Sequence, residues 1–235
     1  MLLTDLPLVW GEGTPADVLA GRVARAPMLA AIEARIDVTP IDALDAARLG
    51  RGVAIIAQPR RLAPDELVAF DRWVRGGGRA MIFADPELRW PSAYASGDVR
   101  RAPPVTLLDP LLTHWGLTLG DSDGREGVRT LGARRVAMLA AGRWRGPSAC
   151  GVLADEVIDC AIGKGRVILV GDADMLDDRL AAVMMADNAE WVIDTVFALS
   201  GSERAESRSI DFALLAAALA GAALFTFAIY RRTRT

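Results

Sequence analysis

Two kinds of apolar pattern alternate along the chain. Short unbroken runs occur at residues 2–4, 52–57, 80–84 and 166–170. Such runs predict strands buried on both faces, since a half-exposed strand alternates polar and apolar positions. Between them the spacing becomes helical. Ala63-Pro-Asp-Glu-Leu places proline and acids in a first turn, and Leu67, Phe70, Trp73 and Val74 keep to one side of the helix that follows. A second helical pattern opens at Thr14-Pro-Ala-Asp and runs to about Arg35, with a break near Pro27, and residues 36–41 predict a strand. Residues 107–117 predict one helix closed by Gly116, residues 134–139 are strand-like, and residues 188–199 form a last amphipathic helix capped by Asn188. The stretch between residues 90 and 146 is otherwise less regular. This alternation predicts the α/β class with a doubly wound, mostly parallel, flavodoxin-like sheet.

Two glycine-rich stretches superficially suggest nucleotide binding. Phosphate loops run strand, glycines, helix, so that free N–H groups at the helix start face the anion. In Gly76-Gly-Gly-Arg-Ala-Met-Ile-Phe-Ala-Asp-Pro-Glu the order is helix, glycines, strand. These glycines therefore terminate a helix, where a left-handed residue is favoured. Gly163-Lys-Gly-Arg-Val-Ile-Leu-Val-Gly lacks a Ser or Thr after its lysine and predicts the tight turn of a hairpin between residues 157–162 and 166–170. No nucleotide and no other cofactor is expected.

Composition sharpens this picture in three places. The formal charge of −3 and a pI near 5.3 exclude the basic footprint of a nucleic-acid binder. Cys150 and Cys160 are the two cysteines. If residues 151–161 fold back as a hairpin centred on Asp155, the two face each other across the strands, so either two small buried thiols or a disulfide suited to an oxidising compartment is open. The hydrophobic share of 52% owes much to residues 212–230, FALLAAALAGAALFTFAIY, which carry no charge and precede Arg231, Arg232 and Arg234. A helix needs about 20 apolar residues to cross a bilayer, so a single transmembrane helix is expected there.

The domain plan expected is thus a globular α/β domain over residues 1–201, a polar linker over 202–211, the membrane helix over 212–230 and a basic tail over 231–235. Arginines after the apolar segment favour a cytoplasmic C-terminus and a periplasmic domain. The first residues, MLLTDLPLVWGEG, contain no signal peptide. Either the domain is cytoplasmic and tail-anchored, or an export signal lies upstream of Met1.

Ligands of open α/β sheets gather at the carboxyl ends of the strands. The residues expected there are Asp5, Glu12, Gln58, Arg60, Asp85, Glu87, Asp172 and Asp174. Several carboxylates around one crevice suit a divalent cation or acid–base work, yet their spacing matches no metal loop. Capping of turns and helix starts is the expected role of Asp85 and Asp172, with no metal assigned. His114 lies in an apolar helix beside Trp115 and is expected to pack or cap. No Gly-x-Ser-x-Gly and no nucleophile–base pair is present. Arg129, Arg134, Arg135 and Arg143 form a locally basic stretch, read as a solvated face or as a contact for anionic lipid.

Three segments together resemble a known family. Ala57-Gln-Pro-Arg-Arg-Leu-Ala-Pro-Asp-Glu-Leu, Phe70-Asp-Arg-Trp-Val-Arg-Gly-Gly-Gly-Arg and Phe83-Ala-Asp-Pro, with Gly171-Asp-Ala-Asp-Met-Leu and Asn188-Ala-Glu-Trp-Val later on, are similar to the extracytoplasmic domain of gliding-motility-type ABC transport auxiliary proteins. The resemblance implies a fold like the class I glutamine amidotransferases. It also implies a place in the bacterial inner membrane beside the membrane subunits of an ABC-type transporter. Where that fold carries its nucleophilic cysteine, this chain has Ala84-Asp85-Pro86, so amidotransferase activity is not expected, and the family's membrane segment ahead of the domain is missing. The function expected is a non-catalytic, membrane-anchored accessory or ligand-sensing component. The alternative is a hydrolase or metal-dependent enzyme using the acidic crevice.

Overall fold

The computed structural model describes residues 1–201 apart from Ala24, Asp123, Ser148 and Ala149. Its elements, in chain order, are β1 (Leu2–Thr4), α1 (Pro15–Leu19), α2 (Pro27–Glu33), β2 (Val53–Ala57), α3 (Pro64–Arg75), β3 (Arg79–Phe83) and α4 (Asp109–His114). There follow β4 (Thr118–Ser122), β5 (Glu126–Leu131), β6 (Arg134–Leu139), β7 (Gly142–Arg145), β8 (Cys150–Ala154), β9 (Val157–Ile162) and β10 (Gly165–Val170). A 3₁₀ turn (Asp174–Leu176), α5 (Asp178–Met184) and α6 (Asn188–Ser200) complete them.

The central sheet has six strands in the order β1-β2-β3-β10-β9-β8. The first four are parallel, with Leu2 opposite Ile55, Ala54 opposite Ala80 and Ala80 opposite Val167. The last two run antiparallel to their neighbours. Two further two-stranded antiparallel sheets, β4–β7 and β5–β6, fill the stretch whose pattern was irregular.

The expected doubly wound, mostly parallel sheet is therefore corrected to a mixed one. The cause is the Gly163–Lys164 turn. Ile162 pairs with Gly165 across it, and a two-residue loop can only join antiparallel strands, whereas a parallel pair needs a crossover of a dozen residues or more. The expected strand over residues 36–41 is also absent. Only Pro40 bridges to Leu2, with Leu2 donating to the Thr39 carbonyl and Ile41 donating to the Leu2 carbonyl. Proline has no N–H to extend a ladder, which confines it to such edges. Among the described residues no helix is long and apolar enough to cross a membrane. The linker, membrane helix and basic tail expected over residues 202–235 lie outside the described residues.

Both faces of the parallel strands are covered, which explains their unbroken apolar runs. Leu2, Ile55, Met81 and Ile168 pack with Met28, Leu29 and Ile32 of α2 and Trp191, Val192 and Val196 of α6. Leu3, Ile56, Ile82 and Leu169 pack on the opposite side with Phe70 and Val74 of α3 and Leu111 and Leu112 of α4. Asn188 does not behave as a simple cap. Buried at the start of α6, it accepts from Ala137 N and donates to the carbonyls of Ala137 and Met175, tying α6 to β6 and to the 3₁₀ turn.

The glycine turn between β9 and β10 sits on the C-terminal end of α3. Lys164 N donates to the Arg75 carbonyl and Arg166 N to the Gly78 carbonyl. A Cβ on Gly165 would lie 2.1 Å from the Val74 carbonyl oxygen, whereas one on Gly50 would meet nothing within 4 Å. Gly165→Ala is expected to lower stability by about 1–3 kcal/mol through overpacking, and Gly50→Ala to stay within about 0.5 kcal/mol. Urea midpoints of the two variants test this.

Candidate functional site

The carboxyl ends of β3 and β10 lie side by side, and the chain continues there into Asp85 and into Asp172 and Asp174. These three side chains are buried, with exposures of 0%, 0% and 2%. One oxygen from each lies within 4.8 Å of the others. Their placement follows from the strands. Ala84 N still donates to the Val170 carbonyl, so the two chains leave the sheet in step. Gly142 N then donates to the Gly171 carbonyl at 2.7 Å. A Cβ on Gly171 would stand 2.2 Å from the Gly142 carbonyl oxygen, so glycine is what lets β7 cross this close to the end of β10.

Each carboxylate is occupied by backbone donors. Asp85 Oδ1 accepts from Glu87 N at 2.8 Å, and Oδ2 accepts from Ala173 N at 2.8 Å and Asp174 N at 3.4 Å. Asp172 Oδ1 accepts from Met175 N at 3.1 Å and Oδ2 from Leu139 N at 2.7 Å. Asp174 Oδ2 accepts from Arg89 N at 2.7 Å. Gln58, also fully buried, braces the same loop by accepting from Asp85 N and donating to the carbonyls of Asp85 and Pro103. The capping role expected of Asp85 and Asp172 is what these bonds perform, and Asp174 shares it.

Burial dominates the electrostatics. Loss of water raises Asp85 to about 6 and Asp174 to about 7, against the backbone bonds that favour their charged forms. Asp172 is pushed well above the ordinary carboxylate range, first by burial and then by the charges of Asp85 and Asp174. Each carboxylate's charge disfavours ionisation of the others, so the cluster holds its protons to higher pH than free carboxyls do. As a cation site, Asp85, Asp172 and Asp174 supply the hard oxygen donors that magnesium or calcium prefers. However, five of their six oxygens already accept backbone bonds.

The other expected site residues go elsewhere. Arg60 makes a two-pronged ion pair with Glu66 at 2.9 Å and donates to the Asp42 carbonyl. Glu66 in turn accepts from Ala63 N and Leu44 N, so Arg60 supports the start of α3. The Arg60 guanidinium and these N–H groups hold the Glu66 carboxyl down at about 2. Asp5 is half-buried, raised by loss of water and opposed by the charge of Arg60. Glu12 accepts from Ala93 N, and Glu87 pairs with Arg89 at 2.6 Å. His114 does not pack in the core: it is exposed, 3.6 Å from Asp71, while its neighbour Trp115 donates to that same Asp71. Arg129, Arg134 and Arg143 pair with Glu156, Asp194 and Asp155. Cys150 and Cys160 stand opposite each other in β8 and β9 and form a disulfide.

The hidden contributors were Leu139, Ala173 and Arg89, which act through backbone N–H groups and leave no side-chain signal in a sequence. Asn188 was visible but assigned to its own helix.

The sign of the pH dependence follows from the raised values. A carboxyl whose folded value exceeds its unfolded one binds more protons in the folded state, so its contribution is largest below about pH 4 and is lost as pH rises through 6 to 7. Asp174→Asn, which removes one such charge and keeps an oxygen acceptor, is expected to raise the melting temperature at pH 8 relative to the unsubstituted protein and to change it less at pH 5. Melting curves across that range test this.

No family model matches the chain, and no curated protein matches it. Among solved structures the chain is similar to the mmIFT52 N-terminal domain, at 12% identity and a TM-score of 0.50, covering 72% of this chain and 87% of that one. It also aligns with a β-galactosidase from the Antarctic haloarchaeon Halorubrum lacusprofundi, at 16% identity and a TM-score of 0.48 over 76% of this chain. An exo-β-1,4-mannosidase from Opitutaceae bacterium strain TAV5 aligns at 15% identity and a TM-score of 0.40 over 60% of it. The chain spans about a quarter of the length of each of these two glycosidases. With the mixed sheet, the doubly wound, amidotransferase-like fold expected from the motifs does not stand. What the first of these likenesses establishes is the fold of the domain alone.

Proposed function

We propose that this domain is a non-catalytic accessory or ligand-sensing module serving a larger assembly, of the ABC-type transport or envelope class that its sequence motifs suggest. The observation that supports it best is the use made of the strand-end acids. In an enzyme of this architecture the carboxyl ends of the central strands present reactive groups to a cleft. Here Asp85, Asp172 and Asp174 are turned inward onto backbone N–H groups. The larger grooves, such as those beside α3 and α6, are lined by other residues. The one histidine is exposed and faces Asp71 and Arg75. The Cys150–Cys160 bridge supports an oxidising, extracytoplasmic setting.

A second reading, a metal-dependent enzyme, is favoured by one observation: three carboxylates converge within 4.8 Å. The two readings part on addition of metal. A resident cation would bind the folded state and raise its stability by RT ln(1 + [L]/Kd), relieving the crowding of charge. An accessory module is expected to show a melting temperature unchanged within error by millimolar magnesium, manganese or calcium at pH 8, and Asp172→Asn is expected to retain partner binding in a pull-down from detergent extracts. A rise of several degrees with one of these cations, abolished in Asp172→Asn, would replace the accessory reading with the metal one.

A further inference from the structure

At the opposite end of the sheet from the aspartates, where the parallel strands begin, lies a groove of about 470 Å³. Arg51, at the start of the turn into β2, Arg72, in the last turn of α3, and Arg79, the first residue of β3, all border it. All three are exposed. Among the described residues no carboxylate lines the groove. Most of the other described arginines have a carboxylate close by. Among the described residues twelve arginines stand within 4.0 Å of a carboxylate. Arg51, Arg72 and Arg79 have no such partner.

The floor between them is made of glycine backbone. Gly52 and Gly77 carry no side chain to cover it, and a Cβ at either would meet nothing within 4 Å. One wall is the ring of Trp73, fixed by a hydrogen bond from Nε1 to the Gly50 carbonyl at 3.1 Å and packed on Gly78. Arg72 alone would be explained by the negative end of α3, but Arg51 and Arg79 lie on other elements. Three guanidinium groups gathered around one groove, with no carboxylate of the described residues within 4.0 Å, in a protein of net charge −3, raise the local positive potential and present planar, two-pronged donors. The chemistry that fits such donors is a tetrahedral oxyanion carrying more than one charge.

We propose that the Arg51–Arg72–Arg79 groove binds a phosphate group, either as a free anion or as the headgroup of an anionic lipid. It does so by side-chain charge on an open glycine floor, and not through a helix start in the manner of a nucleotide loop.

The full-length protein is titrated with inorganic pyrophosphate by calorimetry, and separately sedimented with vesicles of phosphatidylglycerol and phosphatidylcholine in equal parts or of phosphatidylcholine alone. Two triple variants are compared with it. Arg51→Gln/Arg72→Gln/Arg79→Gln removes the groove's charge. Arg22→Gln/Arg25→Gln/Arg100→Gln removes the same charge where carboxylates already answer it, and circular dichroism confirms that both fold. Pyrophosphate binding weakened at least tenfold by the groove variant and kept by the control supports a free-anion site. A preference for the phosphatidylglycerol vesicles lost in the groove variant alone, without pyrophosphate binding, supports a headgroup site. Absence of binding in both arms, or equal loss in the two variants, overturns the proposal.

Discussion

Where two parallel strands leave a sheet together, their backbone N–H groups lose their ladder partners while still buried, and each must find another acceptor. In this protein aspartate side chains supply that acceptor. Asp85, after β3, reaches the N–H groups of the segment after β10, and Asp172, after β10, reaches β6 and the 3₁₀ turn. The β5–β6 sheet, the 3₁₀ turn and, through Asn188, the start of α6 are all positioned by this set of bonds. The charge cost of gathering three carboxyl groups away from water is offset by the donors they satisfy and by retained protons, as expected where hydrogen bonds to the ionised form compete with loss of solvent.

Seen this way, the two ends of the sheet are electrically unlike. At the carboxyl end, acids are buried and internally satisfied. At the amino end, arginines are exposed and unanswered by any acid among the described residues. The first arrangement ties carboxylates to backbone donors, and the second leaves guanidinium groups open to solvent.

Much of the central fold was legible in the sequence. The unbroken apolar runs gave β2, β3 and β10, the Pro-Asp-Glu start gave α3, and the glycine order correctly separated a helix end from a phosphate loop. The turn at Gly163–Lys164 was also recognised, yet its consequence for sheet polarity was not, because the strand–helix alternation of the first half implied parallel neighbours throughout. The excursion between β3 and β8 was obscure for a different reason. Its strands are short and half-exposed, and β5–β6 nests between β4 and β7, so partners lie far apart in sequence. Of the candidate site, Gln58, Asp85, Asp172 and Asp174 do converge, while Glu12, Arg60 and Glu87 engage Ala93 N, Glu66 and Arg89, and Asp5 faces Arg60. Residue type marks which side chains can reach a strand end, but competition from local donors decides which of them stay there.

The two outer strands of the sheet meet a hazard common to all open sheets, since an unpaired edge is a template for another chain. On the β1 side, Pro40 closes the ladder with a residue that has no donor to offer. On the β8 side the solution is covalent. Because Cys150 and Cys160 are directly opposite and joined, β8 cannot shift along β9 by even one position, a slip that would turn every side chain of the strand to the other face. With Val152 and Leu153 exposed along it, an unstapled β8 would be a sticky, register-free ribbon. The bridge thus acts as protection against misassembly during folding, independently of whatever it adds to the equilibrium stability of the finished domain.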